Sequence, residues 1–452
     1  MADLVIANGT VVSVGGAERL DVAISDGRIE RISARLATDG AEVIDATGLL
    51  VLPGAIDVHT HLRLPDAAHP HRFATDTAAA AAGGTTTLLT FNNPGTGISD
   101  DGARSPLRGL DEFRSRTVGE SAIDFGLCAV LGGQQDDPVA ELPELIARGV
   151  PTFKAFMVYD FRLPDDALLD AMRTAARHGG MLQVHCEEPA IIDPLVAAAI
   201  RRGETACRYH ALTRPARAEG AATRKAIEMA RRADAPLYIV HLSCAEALEA
   251  VAEAKARGEP VYAETCPHYM AFTDALYDDP DEAEVIKRVI SPPLRTPADV
   301  EALWAGLRDG VLDVIGSDHV PDRLDTEKAV PAPPFPEISN GGPGVETLLS
   351  VVYSEGVARG RLSAERMVEV LAAAPARLFG LTTKGSIEAG LDADVVLWDP
   401  AARRTLGQAL LHHTSDYTPY EGMEVAGAPI RVLARGREPV VGGGRFVERH
   451  LT

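Results

Sequence analysis

The sequence predicts an α/β protein: a (β/α)8 TIM barrel with a smaller β-sandwich domain formed by the N- and C-terminal segments. Three observations lead there. Between Ala55 and His319 short apolar, strand-like runs alternate with Ala-rich helical stretches, the pattern of parallel βα units. The candidate strands number eight, which is the count that closes a barrel. The residues best suited to hold metal fall at or near the carboxyl ends of those runs, where barrels of this kind carry their functional groups.

Taken in order, Asp3 to Pro53 reads as β-rich runs (DLVIANGTVVSV, DVAISDGRIERI, LLVLPG) punctuated by Asn-Gly and Asp-Gly, which are hairpin signals. The eight barrel strands are AIDVHTH, TTTLLTFN, IDFGLCAVL, PTFKAFMVY, MLQVHC, LYIVHLS, VYAETCP and LDVIGSDH. TDTAAAAAGG is expected to be a helix with a glycine stop. From Val320 to about Gly344, through PAPPFP, runs a long connection of the kind that commonly shapes a binding site, and it is expected to wall the substrate pocket. After a helical run ending at Leu378, the stretches KGSIEAGLDADVVLWDP and PIRVLARGREPVVGGGRFVERH return to β texture and complete the small domain. The expected division is 1–54 and 385–452 for the β domain and 55–384 for the barrel.

At 452 residues with 46% hydrophobic content, the chain can bury a large core and a smaller second one. Lys and Arg number 44 against 65 Asp and Glu, and the net charge of -21 argues against nucleic acid or an anionic membrane as partner. The five cysteines are odd in number and widely spaced, so reduced core thiols are expected and a disulfide framework is not. The start, MADLVIANGT, lacks the pattern of an export signal, and no run approaches the roughly 18 apolar residues of a membrane span. A cytoplasmic protein is the expectation.

His59-Thr60-His61 places two imidazoles on one side of a strand, because side chains alternate with period two. Lys154 interrupts the apolar run PTFKAFMVY, and a buried solitary ammonium costs several kcal/mol unless it is paired or neutralised. Three answers are open: an ion pair with a carboxylate, a Schiff-base lysine, or a carbamate that turns the cation into an anion able to bridge two metals. Four histidines and an aspartate on other strands have no role in Schiff-base chemistry, which favours the carbamate. His185 in LQVHCEE and His241 in YIVHLSC end consecutive strands, and Asp318 in VIGSDH ends the eighth, where a carboxylate can bind metal and take a proton from water. Neutral imidazole and carboxylate donors suit zinc, manganese or iron better than a hard alkaline-earth ion.

Through DVHTHL, GGTTTL, FKAFMVY, VHCEE, IVHLSC, ETCPHY, SPPLR, GSDH, NGGPGVET and SDYTPYEGMEVAG, essentially the whole chain resembles the cyclic amidohydrolases of the amidohydrolase superfamily: hydantoinases, dihydropyrimidinases, allantoinases and dihydroorotases. The resemblance implies two divalent transition-metal ions, zinc or alternatively manganese. His59, His61 and Asp318 would hold one, His185 and His241 the other, with carbamylated Lys154 and a hydroxide between them. It implies that Asp318 shuttles the proton and that Tyr159 donates to the developing oxyanion. Ser291 and Asn340 match positions whose main-chain groups hold the imide or amide edge of the substrate. It further implies a small cyclic amide as substrate and a homo-oligomer, a tetramer by analogy.

The motifs divide on the ring. FMVY, SPPLR, NGGPG and the tail favour hydantoinases and dihydropyrimidinases, whose product is an N-carbamoyl amino acid; CPHY is similar to allantoinases. Arg63 and Asn93 resemble a pair that dihydroorotases use for a substrate carboxylate, but Asp322 would repel such a substrate. The plainer role for Arg63 is to support the metal shell or pair with a nearby carboxylate such as Asp66. The order of expectation is hydantoinase-like, allantoinase, dihydroorotase. A non-catalytic scaffold relative is opposed by the complete ligand set, and a single-metal deacetylase or deaminase by Lys154.

Overall fold

The computed structural model describes residues 2–93, 96–329 and 331–451. The N-terminal strands are β1 (Leu4–Ser13), β2 (Gly16–Ser25), β3 (Arg28–Ser33), β4 (Glu42–Asp45) and β5 (Leu50–Pro53). Eight strands follow: β6 (Ala55–Thr60), β7 (Thr85–Phe91), β8 (Asp124–Leu131), β9 (Thr152–Phe156), β10 (Met181–His185), β11 (Leu237–Ile239), β12 (Val261–Thr265) and β13 (Val314–Ile315). Each of the eight sequence runs supplies one of them. The last two strands are β14 (Val395–Thr405) and β15 (Glu424–Leu433).

The strands β6 to β13 form one parallel sheet in sequence order. It closes on itself where Thr60 bridges His319 and the His61 N–H donates to the His319 carbonyl at 2.7 Å. Because the strands are covered on both faces they read as continuous apolar runs, which is why a buried Lys or His inside one stands out. The helix Arg72–Ala82 ends at Gly83 as TDTAAAAAGG predicts.

The remaining strands form a second, mostly antiparallel sheet in the order β15-β14-β5-β1-β2-β3, with β4 alongside β1. Chain ends far apart in sequence share a core of Leu4, Ile6, Val22, Ile24, Val51, Val395, Leu397 and Leu433. Two details depart from expectation. Asn8-Gly9 makes no hairpin; it lies inside β1, where the register to β2 shifts between Ile6 and Gly9. Asn8 takes a left-handed φ of 65°, and a Cβ on Gly9 would lie 2.3 Å from the Val51 side chain, so the pair serves a bulge and a close strand approach. Asp26-Gly27, by contrast, does turn β2 into β3. Beyond β15 the tail leaves its sheet for the barrel: Phe125 N–H donates to Arg445 O at 2.9 Å, and Val447 N–H to Phe125 O at 2.8 Å. Buried Arg449 donates to Leu127 O at 2.5 Å and to the Thr152 hydroxyl at 3.0 Å, which offsets part of the cost of burying a guanidinium whose Nε has no partner.

All five cysteines are buried and free. Among the described residues no helix is long and apolar enough to cross a membrane.

Candidate metal and catalytic site

The barrel brings His59, His61, Lys154, His185, His241 and Asp318 to one end of its strands. His59 ends near the tip of β6 and His61 just beyond it, Lys154 is central in β9, and His185 is the last residue of β10. His241 and Asp318 lie in the first residues past β11 and β13. Both have positive φ, 37° and 51°, and so does Tyr159 at 75°. Left-handed backbone is unfavourable for side chains with a Cβ, and here it turns the exits of β9, β11 and β13 so that their side chains face the cavity. Gly316 allows β13 to pass against β6, since a Cβ there would sit 2.9 Å from His59 Cβ.

His59 Nε2 lies 3.0 Å and His61 Nε2 3.3 Å from Asp318 Oδ1, a cluster whose donor atoms could share one ion. The His185 and His241 rings are 4.5 Å apart, centroid to centroid, and the His59 and His241 rings 5.3 Å. Lys154 Nζ stands between the groups, 3.4 Å from His59 Nε2 and over the faces of Phe91 and Phe156. It is wholly buried, and among the described residues no carboxylate forms an ion pair with it. The plain ion-pair answer for Lys154 therefore lacks its partner.

Three of the four imidazoles are held on their far side. His59 Nδ1 is held by Glu264, whose other oxygen accepts from the Tyr238 hydroxyl at 2.8 Å. His61 Nδ1 donates to the Asn93 amide oxygen at 2.6 Å. His185 Nε2 donates to Glu187 at 2.7 Å, and Glu187 also accepts from Arg214 at 2.9 Å. Each of these bonds fixes a tautomer and leaves the opposite ring nitrogen with its lone pair toward the centre. His241 Nδ1 is buried without a partner. Sequence reasoning missed Glu264, Glu187 and Arg214 as supports; the signal present was a carboxylate within or next to an apolar strand end, in ETCPHY and VHCEE.

Burial lowers His61, His185 and His241 below the ordinary imidazole range, keeping them neutral as metal donors must be. His59 goes the other way: burial and Lys154 push it down, and the carboxylates of Glu264 and Asp318 reverse that. Burial pushes Lys154 down to about 8 against those same carboxylates. For Asp318 burial acts upward, but charge from His59 and bonds from His59 and His61 outweigh it, so its carboxyl lies well below the usual range. Four imidazoles, a carboxylate and an unpaired amine converging in a buried space fit divalent transition metal by donor chemistry.

A cavity of ≈ 310 Å³ opens onto this cluster, lined among others by Tyr159, Phe161, Ser291, Ile338, Asn340 and Gly341. The connection from Val320 to Gly344 thus forms one wall, as its length predicts; Val330 within it lies outside the described residues. Burial raises the Tyr159 phenol to about 12, so it remains a donor. Asn340 presents a buried amide oxygen with no partner. Ser291 Oγ contacts His210 Nε2 at 3.2 Å. Arg63 and Asn93 also line the cavity, yet both engage the protein: Asn93 through His61, Arg63 through an ion pair with Asp322. Asp66 is not the partner of Arg63; it accepts from Arg72 and from the N–H groups of Ala68 and His69.

The amidohydrolase family model matches residues 50–438. The chain is 39% identical to the D-hydantoinase of Geobacillus stearothermophilus over 98% of its own length and 93% of that protein's. It is 40% identical to the D-hydantoinase of Ralstonia pickettii, covering 98% and 96%. The crystal structure of dihydropyrimidinase from Brevibacillus agri superposes with a TM-score of 0.93 at 38% identity, covering 99% of this chain and 98% of that one. Barrel, donor set and near full-length likeness agree: the chain belongs to the amidohydrolase family.

Proposed function

We propose that this cyclic amidohydrolase opens a hydantoin- or dihydropyrimidine-like ring by hydrolysing a ring C–N bond, leaving an N-carbamoyl amino acid-type product. The observation that carries the reading is the cluster of four imidazoles, Lys154 and Asp318 at the head of a cavity of ≈ 310 Å³, large enough for one substituted ring. His59, His61 and Asp318 would hold one divalent ion, zinc or manganese, and His185 and His241 a second, with Lys154 as its carbamate between them. Carbamylation joins the neutral Lys154 amine to the carbon of carbon dioxide; counted from the ammonium form two protons are released, and an unpaired buried cation is replaced by an anion. When bound, such a pair of ions makes water acidic enough to ionise near neutral pH and polarises a carbonyl.

The protein's own groups do the rest. Asp318, ionised and lining the cavity, accepts the water proton and returns it to the ring nitrogen as the C–N bond breaks. Tyr159 gives a hydrogen bond from its phenolic O–H to the carbonyl oxygen as charge builds there, and Ser291 and Asn340 hold the amide edge. Tyr159→Phe is expected to keep its metal and lose ~10²–10³ in kcat, the usual cost of one oxyanion donor. A kcat within a fewfold of wild type would assign that donor elsewhere. We read the protein as a cytoplasmic homo-oligomer, tetrameric by analogy, with exposed Ile430, Val440 and Val441 offering apolar surface for assembly.

The deciding experiment is turnover of hydantoin, 5-substituted hydantoins, dihydrouracil, allantoin and dihydroorotate, each product identified by the mass of one added water. Opening of the neutral hydantoins and dihydrouracil supports the reading; opening of dihydroorotate alone overturns it. Elemental analysis of fully loaded protein should return close to two transition-metal ions per chain, and a single ion would exclude the paired centre.

A further inference from the structure

One wall of the cavity holds a charge pair that the ring-opening chemistry does not use. Arg63 lines the cavity and donates through Nη2 to Asp322 Oδ1, and Asp322 lies behind the wall, 1% exposed. The other carboxylate oxygen of Asp322 accepts from the Ser339 hydroxyl, and its main-chain carbonyl accepts from Ser415 at 2.7 Å. A second buried cation, Lys328, donates to the carbonyls of Val289 (3.0 Å) and Ser339 (2.7 Å) and acts on the Asp322 carboxyl from the same connection. The buried carboxyl of Asp76 also feels Arg63, but burial raises it to about 7, so near neutral pH it supplies only part of a negative charge. Asp322 is thus the directly bonded carboxylate facing two cations beside a substrate-sized space.

Resting on the cyclic-amide reading above, we propose that Asp322 is an internal counter-ion that sets the charge selectivity of the pocket, confining the enzyme to rings whose substituent is uncharged. A guanidinium bordering a poorly hydrated cavity attracts a carboxylate strongly. Here that demand is met from within the protein, so a substrate carboxylate would have to share an occupied guanidinium and face Asp322 behind it. A cationic substituent fares no better, because it meets Arg63 first. Arg63 lines the same cavity of ≈ 310 Å³ that would receive the ring, so a charge on the substituent lies within Coulombic reach of the pair.

The test compares kcat/KM for three hydantoins carrying carboxymethyl, carbamoylmethyl or aminoethyl at the ring carbon, in wild type, Asp322→Asn, Arg63→Gln and the double variant. Wild type should prefer the neutral carbamoylmethyl ring. Asp322→Asn should raise the anionic-to-neutral ratio by about tenfold or more, an effect that shrinks with added salt. Arg63→Gln should lower that ratio and raise the cationic-to-neutral one, and the double variant should bring both back toward wild type. A pair that merely clamps the connection to the barrel would change all three substrates alike; unchanged ratios in both single variants would overturn the proposal. Should Asp322→Asn fail to fold, Arg63→Gln decides alone, because its two predicted shifts are opposite in sign. If wild type opens none of the three rings, it is the ring-opening reading that fails.

Discussion

Lys154→Ala is expected to strip the protein of most of its metal and nearly all of its ring-opening activity while leaving the barrel folded. The side chain is fully buried, and the groups against its Nζ are an imidazole nitrogen and two aromatic faces, none of which carries a negative charge. As a carbamate it would instead supply an anion to both ions at once. In the proposed two-ion centre its removal would leave two cations repelling each other, so metal affinity should fall by more than the ~10–100-fold that losing an outer partner of a ligand costs. The fold should survive, because alanine at this strand position removes a buried polar group and leaves the flanking Phe153 and Phe156 in their clusters. Short-chain carboxylic acids added to the variant should restore part of both metal and turnover by occupying the vacated space. Metal content by elemental analysis, turnover, and far-ultraviolet circular dichroism separate these outcomes. An active, metal-replete wild type whose density shows unmodified Lys154 would sink the carbamate.

Why Lys154 could be singled out from the sequence is a matter of contrast. In a parallel barrel strand most residues are apolar or small and uncharged, so a charged residue there is costly and conspicuous, and the same contrast marks His185, His241 and Asp318. The eight strands were legible for the same reason. What pairs across the fold was not. Nearness in sequence points Arg63 to Asp66, three residues away, whereas the ion pair forms with Asp322, which only barrel closure brings near. Glu264 and Glu187 support His59 and His185 from positions whose neighbours depend on strand register and loop direction. The positive φ values at Tyr159, His241 and Asp318 had no glycine to announce them. Asn8-Gly9 has the residue types of a hairpin turn, but a bulge asks for the same backbone freedom, and only the pairing partner tells the two apart.

Asp318→Asn should retain the fold and cut turnover by roughly 10²–10⁴, the range for loss of a general acid–base group, with a larger fall if metal leaves as well. The carboxylate is well placed for the role. It lies 3.0 Å from His59 Nε2 and 3.3 Å from His61 Nε2, lines the substrate cavity, and stays ionised despite burial because those neighbours favour its charged form. At neutral pH it is therefore ionised, the form that can take a proton from water once bound metal has acidified that water. Asparagine keeps the shape and an oxygen that can still face the two imidazoles, but its amide cannot carry a proton from water to the leaving nitrogen. Two effects are then separable by assaying metal-replete variant: loss of affinity appears in the metal content, and loss of proton transfer appears in kcat at full loading. A substrate whose ring nitrogen leaves more easily should suffer less from the substitution, since protonation of the leaving group matters less for it. Near-normal turnover in fully loaded Asp318→Asn would place the base on another residue and reduce Asp318 to a metal ligand alone.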